Sequence, residues 1–203
     1  MRASLIAHHP SVGPLLSESV QRAKVLEGMV QAVAEKGFGA ATVADAVRLA
    51  RVSRGTFYAL FASKEACLAA AYRLGFEVVE QRIADAVRDA HDWRDELRLG
   101  LRAYLRALED DPVFARVYLL EWPAVEPERQ AVLDRFLARY RKTFAKAHRA
   151  GHPMPPDDAL YVLAVGAHEL ACARVRAGRS VIDLEDTLVG CAVRLAAEEE
   201  PWT

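Results

Sequence analysis

Two short stretches of the chain concentrate side chains that could do chemistry. The first is HELAC, in which His168, Glu169 and Cys172 interrupt an otherwise apolar run. His168 and Cys172 stand four apart, about one helical turn, so an imidazole and a thiolate could share a divalent metal. The stretch lacks the second histidine of a zinc-protease helix, and no third ligand is evident at metal-binding spacing. The expected role is a polar interruption lining a cavity or bonded within a helix bundle. No glycine-rich phosphate loop, nucleophile elbow or paired-carboxylate motif occurs elsewhere. The chain is therefore expected to be no enzyme, with no cofactor and no metal.

The second stretch, VSRGTFYALFASK at residues 52–64, packs aromatics, hydroxyls, a glycine and two cations into little more than three helical turns. Ser53 is a helix N-cap, and Phe57 and Phe61, four apart, share the inner face of the helix that follows. Arg54, Gly55, Thr56 and Tyr58 are left at the outer face or its edge. Each has a use against a nucleic-acid duplex. Arginine bonds guanine bidentately, and threonine offers a hydroxyl to phosphate or a methyl to thymine. Tyrosine donates to phosphate, and glycine lets a backbone approach closely. Lys64 opens the next helix, whose N-terminal partial charge favours an anion.

The elements that position these residues are all helical. Leu26, Met29, Val30 and Val33 recur at the helical period, and that helix stops at Lys36-Gly37. Thr42 caps a short helix to about Ala50, Ser53 another from Arg54 to about Phe61, and Ser63 opens a long one to about Ala90. Asp92 caps the next, with Trp93, Leu97, Leu101, Tyr104 and Leu108 on one face. Pro112 starts a short helix that Pro123 terminates. A further helix carries Leu133, Phe136, Leu137, Tyr140 and Phe144 and ends near Gly151. The last two run over about 157–177 and 184–199. The expected fold is all-α, with about nine helices.

Charge divides along the chain. Residues 1–74 hold nine Lys/Arg against five Asp/Glu and the remainder 18 against 23, although the whole carries only -1. A basic front on an acidic back suits a nucleic-acid-binding module joined to another kind of domain. No apolar run reaches the roughly 20 residues of a membrane span, and the N-terminus does not read as a signal peptide. Three scattered cysteines make neither a disulfide framework nor a CxxC knuckle, so a reducing, cytoplasmic setting is expected.

Three short helices at the basic end, with a three-residue turn between the last two, have the form of a helix-turn-helix. The run from Ala41 to Ala71 resembles the DNA-binding domain of the TetR (tetracycline-repressor-type) family of bacterial regulators. The resemblance is carried by Thr42, Val43, Asp45, Val52, Ser53, Gly55, Thr56, Phe57, Tyr58, Phe61, Ser63, Lys64 and Glu65, within about residues 20–72. It implies DNA contacts from Thr42, Arg54, Thr56, Tyr58 and Lys64; Ser53 and Gly55 are added as candidates at the start of the same helix, and Arg51 as a further phosphate contact. Three positions depart from the family pattern. Arg51 replaces a usual turn glycine, so the turn either avoids positive φ or bears strain. Leu60 stands where a phosphate-touching histidine or tyrosine is common. Ala46-Val47 reverses the usual order of size.

The resemblance further implies a flexible tail at 1–17, a DNA-binding domain at 18–66 and a larger effector-binding and dimerisation domain at 67–203. Tyr104, Phe114, Tyr118, Trp122, Tyr140, Tyr161 and His168 are the candidate lining of a pocket for a hydrophobic or aromatic small molecule. The over-apolar, small-residue-rich last two helices suggest a homodimer through Ala167, Ala171, Leu184, Leu188, Cys191 and Leu195. The expected function is a ligand-responsive repressor on a palindromic operator. The alternative is a helical adaptor or activator of the same fold without effector-controlled repression.

Overall fold

The computed structural model describes residues 17–121 and 125–197. Among these lie nine α-helices and no strand: α1 (Ser17–Lys36), α2 (Val43–Ala50), α3 (Arg54–Leu60), α4 (Lys64–Ala86), α5 (Trp93–Asp110), α6 (Pro112–Leu120), α7 (Glu126–Arg149), α8 (Asp157–Arg176) and α9 (Glu185–Leu195), with a 3-10 turn at Ile182–Leu184 before the last. No described helix is long and apolar enough to cross a membrane. Most of the expected tail and Trp122 and Pro123 lie outside the described residues.

Helix ends follow their caps. Asp111 accepts from the Phe114 amide at 2.9 Å and Pro112 occupies the first turn of α6. Asp92 accepts from the Asp95 amide at 2.8 Å at the start of α5. The long helix α4 stops at Ala86, four residues before the expected end. There the backbone tightens, with Arg88 N–H reaching the Asp85 carbonyl and Ala90 N–H the Val87 carbonyl, each at 3.3 Å.

The chain forms two compact units. The first comprises Met1–Gln81 and Ala107–Arg129. In it α1 packs on α2, α3 and α6. The periodic residues Leu26, Met29, Val30 and Val33 are all buried, as are Phe57 and Phe61. Tyr118 of α6 stacks on Tyr72 of α4 at 4.8 Å and on Phe114 at 5.2 Å between ring centroids. Phe114 reaches its place only because residue 75 is glycine: a β-carbon there would lie 2.0 Å from Phe114 Cε2.

The second unit comprises Arg82–Arg106 and Gln130–Thr203. Its core is built from Trp93, Leu97, Leu101 and Tyr104 on α5, Leu137, Tyr140 and Phe144 on α7, Leu160 and Leu163 on α8, and Leu184 and Leu188 near the last helix. Two polar clasps fix helix register. Buried Glu96 accepts from Thr143 Oγ1 at 3.0 Å and pairs with Lys146, joining α5 to α7. Arg102 grips Glu185 through Nε and Nη2, at 2.9 and 2.7 Å, joining α5 to α9.

Helices α1 and α2 approach backbone to backbone at Gly28. A β-carbon on Gly28 would stand 2.5 Å from the Ala46 carbonyl oxygen and 3.0 Å from Ala50 Cβ. Backbone cannot swing aside as a side-chain tip can, so Gly28→Ala must part the two helices. The substitution is expected to destabilise the protein by about 1–3 kcal/mol despite its gain in helix propensity. Urea unfolding of the two proteins measures the difference.

Candidate nucleic-acid interface

The helix-turn-helix is assembled by caps. At the start of α2, Thr42 Oγ1 accepts from the Asp45 amide at 3.2 Å, while the Asp45 carboxylate accepts from the Thr42 amide at 3.2 Å, a reciprocal capping box. The same carboxylate accepts from Thr42 Oγ1 at 2.7 Å and from Lys36 Nζ at 2.6 Å. The Thr42 hydroxyl thus spends its one proton within the chain. What remains is a lone pair that an anionic phosphate cannot use, so the structure assigns Thr42 a capping role.

Between α2 and α3 the backbone turns through Arg51, with φ 56° and ψ 45°, the one non-glycine residue at positive φ among the described residues. Its amide reaches the Arg48 carbonyl at 3.3 Å and the Val52 amide reaches the Val47 carbonyl at 3.1 Å. This pair of bonds is the Schellman helix stop, which favours glycine at the left-handed position. The strained alternative left open by the sequence is the one adopted, and a β-carbon there costs about 1–2 kcal/mol.

Ser53 then caps α3, accepting from the Thr56 amide at 3.0 Å. The Ser53 and Thr56 hydroxyls lie 2.9 Å apart and share one of their two protons. The other is left for an outside acceptor. Phe57 anchors the helix in the first unit's core with no exposure, and Tyr58 rests edge-on against it at 5.4 Å while remaining 58% exposed. Arg54 and Gly55 are exposed. The only atom near a β-carbon on Gly55 would be Ser53 Oγ at 3.5 Å, so the chain's own packing does not demand glycine there. Arg51 and Arg54 have no acid partner among the described residues, whereas Arg48, not singled out by sequence, stands 3.8 Å from Asp45. Leu60 is half-buried and offers no donor.

Lys64 is placed differently from the other candidates. Its ammonium donates to the Phe38 and Ala41 carbonyls at 2.9 and 3.0 Å and lies 4.3 Å from the Phe38 ring centroid. It therefore clasps the α1–α2 loop. From the other side Glu121 accepts from the Phe38 amide at 3.1 Å, a contact across 83 residues that no local pattern signals. Arg22, 4.6 Å from the Phe61 ring centroid, adds a further cation to this unit.

The remaining candidates are dispersed. Phe114 and Tyr118 belong to the first unit's aromatic stack. Tyr104, against Phe136 at 5.3 Å, and Tyr140 are buried in the second, and burial pushes the Tyr140 phenol well above its ordinary range. Tyr161 is 48% exposed and so does not line the interior of its own unit. His168, Glu169 and Cys172 are half-buried, exposed and buried, and their ligand atoms lie within 4.8 Å of one another. All three come from one helical turn. Cys67 is buried, its thiol pushed up to about 12 by desolvation, which makes it an inert packing residue. Of the expected dimer residues, Ala167, Ala171, Leu184 and Leu188 are buried within the chain itself, Leu195 is half-buried and Cys191 is exposed.

A capped, exposed helix following a tight turn, carried on a bundle of helices, is the architecture of helix-turn-helix regulators. Residues 25–71 match the model of the family described as bacterial regulatory proteins, tetR family. The chain as a whole is similar in fold to the fatty acid degradation regulator FadR of Bacillus halodurans, with TM-score 0.79 at 19% identity over 89% of this chain and 95% of that one. It is similar too to FadR of Bacillus subtilis in complex with stearoyl-CoA, with TM-score 0.76 at 17% identity over 84% and 96%. A tetR-family regulatory protein from Rhodococcus RHA1 gives TM-score 0.68 at 20% identity over 89% and 98%. None of the curated proteins matches the chain.

The capping box makes a pH prediction. Hydrogen bonds from Lys36 and then Thr42 hold Asp45 at about 2, below its ordinary 3.8. A lowered carboxylate contributes stability that is present above 3.8 and lost as pH falls through about 2. Asp45→Asn should therefore be less stable than wild type at neutral pH, with the gap closing across that acid window. Urea unfolding over a pH series reads it; a gap that stays constant in acid would remove the carboxylate from the account.

Proposed function

We propose that the protein is a ligand-responsive transcriptional regulator that binds a palindromic operator as a homodimer, with Arg54, Gly55, Thr56 and Tyr58 entering the major groove. The observation that carries this reading is the condition of α3 within the TetR-type segment. Its outer face holds an arginine without an acid partner, a glycine that internal packing does not require, a spare hydroxyl proton and a tyrosine more than half exposed. The glycine costs helix stability in the free chain, and all four features are usable against a duplex. Selection of bound fragments from genomic DNA, then titration of the recovered site, tests it. Arg54→Ala should weaken operator binding by about 1–3 kcal/mol and relax base preference at the position it reads. Selection that returns no recurring sequence would reject the reading.

The homodimer rests on the outward face of α8. Val162, Tyr161 and Leu170 are exposed at 69%, 48% and 42%. β-carbons on Gly166 of α8 and Gly190 of α9 would meet nothing within 4 Å. An apolar face interrupted by glycines suits close packing of a second copy through an isologous contact. Because Leu188 is buried within its own chain, charging it tests the core. Val162→Glu with Leu170→Glu tests the interface. Light scattering should give twice the 22.4 kDa chain mass for wild type and one chain for the double variant. A wild-type mass of one chain at micromolar concentration would reject the dimer.

For the effector we propose a largely apolar molecule, and a long-chain acyl thioester of the kind bound in the Bacillus subtilis structure is the first to test. Within the second unit, the buried Tyr104 and Tyr140 are the candidate contacts. Helix α4 runs unbroken from Lys64 in one unit to Ala86 in the other, which makes it the covalent path by which effector and operator binding would influence each other. Coupling, where present, is reciprocal: whatever factor the effector takes from operator affinity, the operator takes from effector affinity.

A further inference from the structure

The corner between α2 and α3 holds an arginine where its own backbone favours glycine. Arg51 sits at φ 56°, locked there by two hydrogen bonds, the Arg51 amide to the Arg48 carbonyl at 3.3 Å and the Val52 amide to the Val47 carbonyl at 3.1 Å. No rotation of the turn relieves this without breaking the helix stop. Relief would be expected from the side chain, through burial or an ion pair. Neither is present: the residue is exposed, and no hydrogen bond, ion pair or ring contact of its guanidinium occurs among the described residues. The side chain thus brings a backbone cost with no return inside the chain. The same corner carries a second unpartnered guanidinium three residues on, at Arg54, while Asp45 of α2 is engaged by Lys36 and Thr42 and faces Arg48.

We propose that Arg51 is a phosphate-binding residue of the DNA interface, and that its left-handed conformation exchanges stability for one additional backbone contact. The proposal rests on the DNA-binding reading above and adds to it a residue that reads no base. A guanidinium at an exposed helix-turn-helix corner beside the recognition helix is placed to meet the sugar-phosphate strand flanking the groove, where a planar fork of donors binds a phosphate bidentately. Persistence of a strained residue at a site whose surroundings fix it is the mark of a functional constraint. The signature is a pair of opposite effects. Removing the side chain while keeping the turn should stabilise the protein and weaken DNA binding at every sequence alike.

The test needs no knowledge of the operator. Wild type, Arg51→Gly, Arg51→Lys, Arg54→Ala and, as a control in the second unit, Arg106→Ala are titrated against a labelled random-sequence duplex over a range of salt, and each is unfolded thermally. Arg51→Gly should raise the midpoint of unfolding, reduce the slope of log affinity against log salt by about 0.9, and weaken binding roughly eightfold at about 0.1 M salt. Arg51→Lys keeps both the charge and the strained backbone, and should retain the wild-type slope and midpoint. Arg106→Ala should leave the slope unchanged. If wild type and Arg54→Ala differ in affinity while Arg51→Gly keeps the full wild-type slope, Arg51 does not touch phosphate and the proposal falls with the DNA reading intact. If Arg51→Gly lowers the unfolding midpoint, the side chain is structural and the exchange is refuted. If wild type shows no salt-dependent binding at all, the DNA reading fails and takes the proposal with it.

Discussion

The geometry of the candidate DNA face depends on one left-handed residue. Helix α3 is seven residues long, too short to persist by its own hydrogen bonds, since forming a first turn costs more than it returns. Its direction is set from outside, by the Schellman stop that reverses the chain at Arg51, by the Ser53 cap and by Phe57 seated in the core of the first unit. Cap and anchor fix where the helix begins and which face it buries. The turn fixes its angle to α2, and Gly28 lets α2 lie hard against α1. A change in the φ of one residue would carry Arg54, Thr56 and Tyr58 to other positions together.

A second constraint is the small number of protons that the polar side chains of this region possess. Thr42 and Lys64 have donors of the kind a phosphate attracts, yet the Thr42 proton is held by Asp45 and Lys64 is turned onto two loop carbonyls. They fix α2 and the loop before it. The Ser53–Thr56 pair keeps one proton in reserve, and Arg51, Arg54 and Tyr58 keep their donors entirely outward. For Thr42 this division of donors follows from hydrogen-bond capacity, whereas Lys64 spends two of its three donors on the loop.

This division also explains what was legible in the sequence. Helix periodicity exposed the apolar stripes of α1, α5 and α7, and residue types that cap helices located Thr42, Ser53, Asp92 and Pro112, because these are local effects that act within one or two turns. The inward placement of Phe57 and Phe61 followed from their spacing. The fate of Lys64 did not, since its partners lie 26 and 23 residues away, and the hold of Glu121 on Phe38 spans 83. Helix α4 ends four residues short of the expected Ala90 because the apolar stripe continues through Val87 while the backbone has already tightened into a turn. Arg51 was visible as an anomaly, but only the backbone angle decided between an avoided and a strained turn.

Helix α8 shows how far a one-chain pattern can mislead about which apolar residue faces which neighbour. Its sequence is apolar almost all round, which demands cover on every side, but does not say which side the chain covers itself. The small residues Ala167 and Ala171, which look suited to close approach between copies, are taken up by the protein's own core, together with Leu188 of α9. The bulkier Val162, Leu170 and Tyr161 are the ones left outside, beside a glycine whose β-carbon position is open. An exposed apolar face of this kind is costly against water. Tyr161, exposed beside Val162, does not line the interior of its own unit.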